Sequence, residues 1–135
     1  MNEKPLILIV DDEAGLRFLL QNRLEKKGFK VDFATDGANA WSKLSQGLQP
    51  DMVVSDMKMP GMDGVELLRQ VRTTSARKNL PFLFMTGFPE KRAEDEAKDL
   101  GCVEIFIKPF SYNSLVSRIE RYFSEANAAQ KPQGA

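Results

Sequence analysis

The stretch PLILIVDDE, residues 5–13, joins a continuous apolar run directly to three acids. An unbroken apolar run is typical of a strand buried on both faces, because a strand with one exposed face alternates apolar and polar residues. Four further short runs with apolar or alternating character follow along the chain. They are FKVDFA (29–34), DMVVSD (51–56), PFLFM (81–85) and EIFI (104–107). The sequence therefore predicts five strands.

A helical pattern follows each predicted strand. In the first helix the leucines recur every four residues and Gly28 ends the pattern. Asp36 is predicted to cap the second helix, and Ser111 or Asn113 the last. The fourth helix, within residues 89–100, is heavily charged and has the weakest pattern. Strict alternation of strands and helices predicts an α/β fold, (βα)5, with a doubly wound five-stranded parallel sheet.

The composition excludes several classes of protein. The chain has 135 residues, with 19 Lys and Arg against 19 Asp and Glu, so a nucleic-acid or membrane-surface binder acting through bulk charge is not expected. The absence of histidine excludes a histidine general base, a Ser-His-Asp triad and His-ligated zinc. The single Cys102 cannot form an internal disulfide.

The length suits one domain, which we predict over residues 1–126, followed by a flexible C-terminal tail at 127–135. No apolar run approaches the roughly 18 residues that a membrane span needs, and acids stand where a signal peptide would have its hydrophobic core. We therefore expect a soluble, cytoplasmic protein.

Polar side chains follow four of the predicted strands at the point where each strand ends. They are Asp11 and Asp12, Asp56, Thr86, and Lys108. Ligands of open α/β sheets bind at the carboxyl ends of the strands, so these side chains are expected to converge. Three neighbouring carboxylates repel one another, and a hard divalent cation such as Mg²⁺ relieves that repulsion. Together with a lysine and a hydroxyl they suit a phosphoryl group carried on one of the acids.

Each of these residues also has an ordinary structural explanation. Asp11 and Asp12 could simply cap the first helix, and Asp56 could open a loop. Lys108 could be a solvated charge, and Thr86 a β-branched strand residue. Their joint placement at four strand ends favours a shared chemical role over four independent accidents.

Four motifs make the chain resemble the receiver domain of two-component response regulators, from about residue 5 to residue 123. The motifs are ILIVDDE (7–13), VVSDMKMPGMDG (53–64), MTG (85–87) and IKPF (107–110). Each motif alone is weak, but the set is highly specific. The resemblance implies the flavodoxin-like strand order 2-1-3-4-5.

The resemblance also implies a role for each acid. Asp56 would be the phosphoacceptor, attacking the phosphorus of a phosphohistidine on a partner to become an acyl phosphate. Mg²⁺ would be held directly by Asp12, Asp56 and the main-chain carbonyl of Lys58. Asp11 would act largely through a bound water.

Lys108 would then pair with the phosphoryl oxygens, and Thr86 would move to hydrogen-bond them. The chain departs from the family at Ile105, where a tyrosine or phenylalanine usually turns inward when the threonine moves. Phe106 is not expected to replace that ring, because neighbouring strand residues point to opposite faces. A cis peptide before Pro109 is expected from the resemblance.

The expected function is a phosphorylation-dependent signalling switch, not an enzyme. Its partners would be a histidine kinase or histidine phosphotransfer protein and a downstream protein or missing output domain. Direct nucleic-acid and membrane binding are not expected. A phosphorylation-dependent dimer is compatible with the sequence, which does not decide the oligomeric state. Two alternatives are a small phosphohydrolase of the haloacid dehalogenase type and a scaffold that is never phosphorylated. The first needs a second acid two residues after its nucleophile, where this chain has Lys58, and the second does not explain the intact acids.

Overall fold

Strands and helices alternate throughout the chain, as the sequence predicts. The computed structural model describes residues 4–74 and 76–130. The strands are β1 (Leu6–Val10), β2 (Lys30–Ala34), β3 (Met52–Asp56), β4 (Phe82–Thr86) and β5 (Glu104–Ile107). The helices are α1 (Ala14–Lys26), α2 (Gly37–Ser45), α3 (Gly64–Arg72), α4 (Lys91–Asp99) and α5 (Tyr112–Gln130).

The five strands form one parallel sheet in the order β2-β1-β3-β4-β5, which confirms the predicted fold. Strand β1 lies between β2 and β3, with Val10 in register with Ser55. The chain thus changes direction across the sheet between β1 and β3. The carboxyl ends of these two central strands form the crevice where a ligand is expected in such a sheet.

Successive residues of the buried strands pack into two separate cores, because strand side chains alternate between faces. Ile7 and Ile9 pack against α1 and α5, with Leu20 and Leu115 among their fully buried neighbours. The opposite core, which includes Leu8 and Val10 of β1, is covered by α2, α3 and α4. Burial on both faces explains the continuous apolar run of β1.

The helix ends agree with most of the predicted caps. Asp36 accepts a hydrogen bond from the Asn39 N–H at 2.8 Å, and Ser111 accepts one from the Ser114 N–H at 3.2 Å. In α3, Asp63 and Glu66 form a capping box that fixes the helix start. The weakly patterned helix is present as α4.

The ends of α3 and α5 are set by the local sequence. Helix α3 stops at Arg72 because the hydroxyl of Thr73 donates back to the Gln70 carbonyl at 2.7 Å, which competes with the helical pattern. Helix α5 continues to Gln130, into the predicted tail, because an alanine-rich stretch favours helix. Residues 131–135 of that tail lie outside the described residues. The Lys108–Pro109 peptide bond is cis, as expected.

Across residues 4–74 and 76–130, no helix combines the length and the apolar character that a bilayer crossing requires.

Candidate functional site

Three carboxylates meet at the carboxyl ends of the two central strands. Asp11 directly follows β1, Asp12 is the next residue, and Asp56 is the last residue of β3. One carboxylate oxygen from each lies within 4.8 Å of the other two. Asp11 and Asp56 are buried, whereas Asp12 is exposed. The structure therefore brings together the three acids that the sequence predicts to converge.

Asp11 has one satisfied and one unsatisfied carboxylate oxygen. Its Oδ1 accepts a hydrogen bond from the Glu13 N–H at 2.7 Å, whereas Oδ2 is buried without a hydrogen-bond partner among the described residues. Burial raises the pKa of Asp11 to about 6; the Glu13 N–H and Lys108 oppose the rise, and the charges of Asp56 and Asp12 add to it. A buried carboxylate oxygen without a partner is costly, and a hard cation is the kind of group that satisfies it.

Capping of α1 does not explain this arrangement. The cap position of α1 is occupied by Glu13, whose side chain makes no capping hydrogen bond. The Asp11 bond to the Glu13 N–H is a local turn that precedes the helix, because Glu13 is itself the cap residue. It leaves Asp11 Oδ2 and the whole carboxylate of Asp12 unexplained.

The side chain of Asp56 lies between a main-chain donor and a cation. Its Oδ1 accepts a hydrogen bond from the Lys58 N–H at 3.1 Å, and its Oδ2 lies 3.5 Å from the Nζ of Lys108. Burial raises the pKa of Asp56, while the Lys58 N–H and the Lys108 charge oppose that rise.

The main chain of Asp56 is also held closely. The Ser55 hydroxyl donates to the Asp56 carbonyl at 2.8 Å, and a Cβ placed on Gly64 would lie only 2.2 Å from the same oxygen. The start of α3 can therefore approach β3 only because residue 64 is glycine. Ser55 stands out in the sequence as a polar residue within an apolar run, and this could have indicated a buried hydroxyl contact. The sequence does not reveal that Gly64 is needed for the close approach of α3 to β3.

Lys108 faces two acids across the crevice. Its Nζ lies 3.5 Å from Asp56 Oδ2 and 3.7 Å from Glu13 Oε1. Burial alone would lower the pKa of Lys108, but the charges of Asp56, Asp11 and Glu13 outweigh that effect and raise it. Lys108 is therefore a fixed cation opposite the acids.

Thr86 ends β4 beside the acid cluster. It follows Met85, which is in register with Asp56, and its side chain is almost fully buried. Its hydroxyl accepts a hydrogen bond from the Phe88 N–H at 3.1 Å. Phe88 itself is 75% exposed, so it lies on the surface rather than in a packed loop.

Ile105 and Phe106 lie on opposite faces of β5, as strand alternation predicts. Ile105 is half-buried against the core under α2, α3 and α4. Phe106 belongs to the opposite core, where its ring meets that of Phe110 edge-on at 5.8 Å. Phe106 therefore cannot supply the ring that Ile105 lacks.

Comparison with known proteins decides the family. The family model described as the response regulator receiver domain matches residues 7–120. The chain belongs to the response regulator receiver domain family. Receiver domains are phosphorylation-dependent switches of two-component signalling, and this is the functional class of the chain.

Similar proteins differ in how much of their length the receiver domain covers. The chain is 37% identical over 122 residues to sporulation initiation phosphotransferase F of Bacillus subtilis, covering 90% of this chain and 94% of that protein. It is 36% identical over 133 residues to the transcriptional regulatory protein FixJ of Bradyrhizobium diazoefficiens, covering 98% of this chain but 63% of FixJ. The solved structure of the chemotaxis protein CheY4 of Vibrio cholerae has a TM-score of 0.79 at 31% identity, covering 88% of this chain and 98% of that one.

Proposed function

We propose that Asp56 is the phosphoryl acceptor of this receiver domain. The observation that carries the proposal is the position of its carboxylate, within 4.8 Å of two further acids and 3.5 Å from the Nζ of Lys108. A phosphoryl group on Asp56 would bring added negative charge between Lys108 and a cation held by the acids. That surrounding compensates the charge of a transferring phosphoryl group, which is the main requirement of this chemistry.

In the proposed reaction an Asp56 carboxylate oxygen attacks the phosphorus of a phosphohistidine on the partner. A P–O bond forms, the P–N bond breaks, and its electron pair leaves with the imidazole of the donor. The reaction needs no base from this chain, since the attacking oxygen is already a carboxylate. Lys108 lies on the side from which its ammonium can pair with the phosphoryl oxygens.

The residues that would hold Mg²⁺ are Asp12, Asp56 and the carbonyl of Lys58 directly, with Asp11 through a water. The donor set fits, because all four are hard oxygen ligands and Asp11 Oδ2 is a buried oxygen with no partner in the described part of the chain. When bound, the ion would neutralise charge on the phosphoryl oxygens.

Thr86 is proposed to report the modification to the surface. Its hydroxyl now accepts from the Phe88 N–H, and a turn toward a phosphoryl oxygen would give up that bond and change the loop after β4. We propose that the output surface comprises α4, β5 and α5, with a smaller rearrangement at Ile105 than an aromatic ring would give.

The proposed partners are a histidine kinase or histidine phosphotransfer protein as donor and a downstream protein as target. The relative from B. subtilis is itself named a phosphotransferase, which supports a place in a phosphoryl relay. The longer FixJ supports the alternative that an output domain belongs to the same protein. The proposal includes a cytoplasmic location and a stoichiometric acceptor role rather than that of an enzyme with turnover.

The test is labelling with a small acyl phosphate in Mg²⁺, followed by intact mass. The parent should gain one phosphoryl group and lose it slowly, and Asp56→Asn should gain none, because an amide does not attack phosphorus as a carboxylate does. Asp36→Asn is the matched control, since asparagine caps a helix as well as aspartate. Undiminished labelling of Asp56→Asn would overturn the acceptor assignment. Multiple turnover by the parent would favour a phosphohydrolase, and no labelling of the parent a scaffold.

A further inference from the structure

The side chain of Lys58 links the loop after Asp56 to the start of α4. Its main-chain N–H donates to Asp56 Oδ1 at 3.1 Å, while its ammonium forms an ion pair with the carboxylate of Glu90. Glu90 occupies the cap position of α4, yet its side chain makes no capping hydrogen bond. Glutamate is not among the favoured cap residues, and the Glu90 carboxylate instead pairs with Lys58 beside the groove between α3 and α4.

We propose that Glu90 is a positioning residue that acts through Lys58. It holds the Lys58 ammonium at the edge of the site and so connects the start of α4 to the acceptor loop, residues 57–63 between β3 and α3. The ion pair breaks when a phosphoryl group on Asp56 competes for the ammonium. The inference rests on the proposed function, because it requires Asp56 to carry the phosphoryl group.

The C-terminal end of α4 makes more contacts with the rest of the protein than its N-terminal end, so the Glu90–Lys58 pair contributes a large share of what holds the N-terminal end. Toward its C-terminal end, Ala97 is fully buried, Glu96 pairs with Arg69 at 2.7 Å, and Arg72 donates to the Leu100 carbonyl at 2.7 Å. Toward its N-terminal end, the described contacts with the core and with the acceptor loop are the half-buried Ala93 and the Glu90–Lys58 pair. Loss of the pair therefore frees the N-terminal end of α4 while the other end stays attached.

The competition follows from the charges around Lys58. Glu90, through its hydrogen bond and its charge, raises the pKa of Lys58, with a smaller contribution from Asp63. A phosphoryl group carries roughly −1.5 to −2 charge near neutral pH and three strong acceptor oxygens. The Lys58 main chain already contacts Asp56, and in the proposed switch rotation about the Lys58 side-chain bonds would turn the ammonium from Glu90 toward that charge. The carboxylates of Asp11 and Asp12 together with a dianionic phosphoryl group carry more negative charge than Mg²⁺ and Lys108 neutralise, so a further ammonium is still attracted to the site.

The experiment compares amide hydrogen exchange in α4 with and without beryllium fluoride and Mg²⁺, a phosphoryl mimic for Asp56. Glu90→Gln removes the charge and keeps the shape. Because exposed ion pairs are weak, we expect the first hydrogen-bonded amides of α4, from the Glu94 N–H onward, to exchange about two- to fivefold faster in the resting variant. The mimic should then accelerate them by a smaller factor than in the parent.

Two matched variants separate this role from general loosening of α4. Asp95→Asn breaks the Lys91–Asp95 pair, 3.0 Å long on the same helix, and should leave the response to the mimic intact. Glu90→Asp retains the charge and should restore most of the response. Parent-like exchange and a full response in Glu90→Gln would overturn the inference, as would equal effects of Glu90→Gln and Asp95→Asn.

Failure of the proposed function would look different. A parent that takes up no label on Asp56 and shows no response to the mimic would refute both proposals together. A parent that is labelled and responds, beside a Glu90→Gln variant that behaves identically, would refute only the role of Glu90.

Discussion

Replacing Asp11 by asparagine should stabilise the metal-free protein at neutral pH. Burial is the largest cause of the raised pKa of Asp11, so its charged form is disfavoured in the folded state. Asparagine has nearly the same shape, and its oxygen can keep the hydrogen bond from the Glu13 N–H. Its new amide group would face the carboxylates of Asp12 and Asp56 in place of a third negative charge.

The size of the effect follows from the shift in pKa. The pKa of Asp11 rises from 3.8 to about 6. Each pKa unit corresponds to about 1.4 kcal/mol in the free-energy difference between the protonated and the ionised form. The upper bound is therefore about 3 kcal/mol, and water entering the crevice reduces the expected gain to about 1–3 kcal/mol. Because the folded pKa is raised, the stability that protonated Asp11 contributes is complete below pH 3.8 and is lost as the pH rises through about 6.

The assay is urea unfolding in a chelator, followed by fluorescence of the single Trp41 and by circular dichroism. Asp11→Asn should gain about 1–3 kcal/mol at about pH 7.5 and close to nothing at about pH 4. The exposed Asp99→Asn is the control and should change little at either pH. A variant less stable than the parent at neutral pH, or a gain independent of pH, would refute the reasoning that burial of Asp11 is costly.

Three further predictions concern the same edge of the sheet. Asp12→Ala should remove most of the Mg²⁺ binding of the unphosphorylated protein, measured by titration, and equal binding would contradict the proposed ligand set. Thr86→Ala should diminish the change in hydrogen exchange that a phosphoryl mimic produces between β4 and β5; an undiminished change would exclude the hydroxyl as reporter. Gly64→Ala should destabilise the protein by about 1–3 kcal/mol in urea unfolding, because its Cβ would lie 2.2 Å from the Asp56 carbonyl oxygen. The control Gly15→Ala, with open space around it, should be neutral or up to about 1 kcal/mol stabilising.

The fold could be predicted because the strands differ from the helices in a way that the sequence displays directly. The central strands β1, β3 and β4 are almost entirely buried, so their apolar runs stand out. The predicted first and fourth strands begin one residue early, at Pro5 and Pro81. Both prolines lack an N–H, yet their carbonyls accept ladder-like hydrogen bonds from Lys30 and Val53 at 2.9 Å. Such one-residue differences do not alter the topology.

The acids of the site could be predicted because they stand at strand ends, where the chain order alone brings them together. The contacts that hold the acceptor loop could not, because they join residues far apart in the sequence. Met57 and Met59 on either side of Lys58 are buried in the core, which a turn-rich sequence does not reveal. The ion pair between Lys58 and Glu90 forms because the loop after β3 lies close to the loop after β4. The pattern of residues within each loop does not reveal the distance between the two loops.

The position of each strand in the sheet explains why the proposed output surface would lie next to the acid cluster. Asp11 and Asp56 are buried because they lie at the ends of central strands, and burial is the first cause of their raised pKa values. Because burial disfavours their charged forms, a cation or a phosphoryl group that interacts with these carboxylates changes their free energy strongly. Strand β5 lies at the edge of the sheet, and α4 has a single fully buried residue, so both can be displaced at low cost. On the proposed function, a charge change at the end of β3 would thus be expressed on the β5 side of the molecule, where the edge strand and α4 resist displacement weakly.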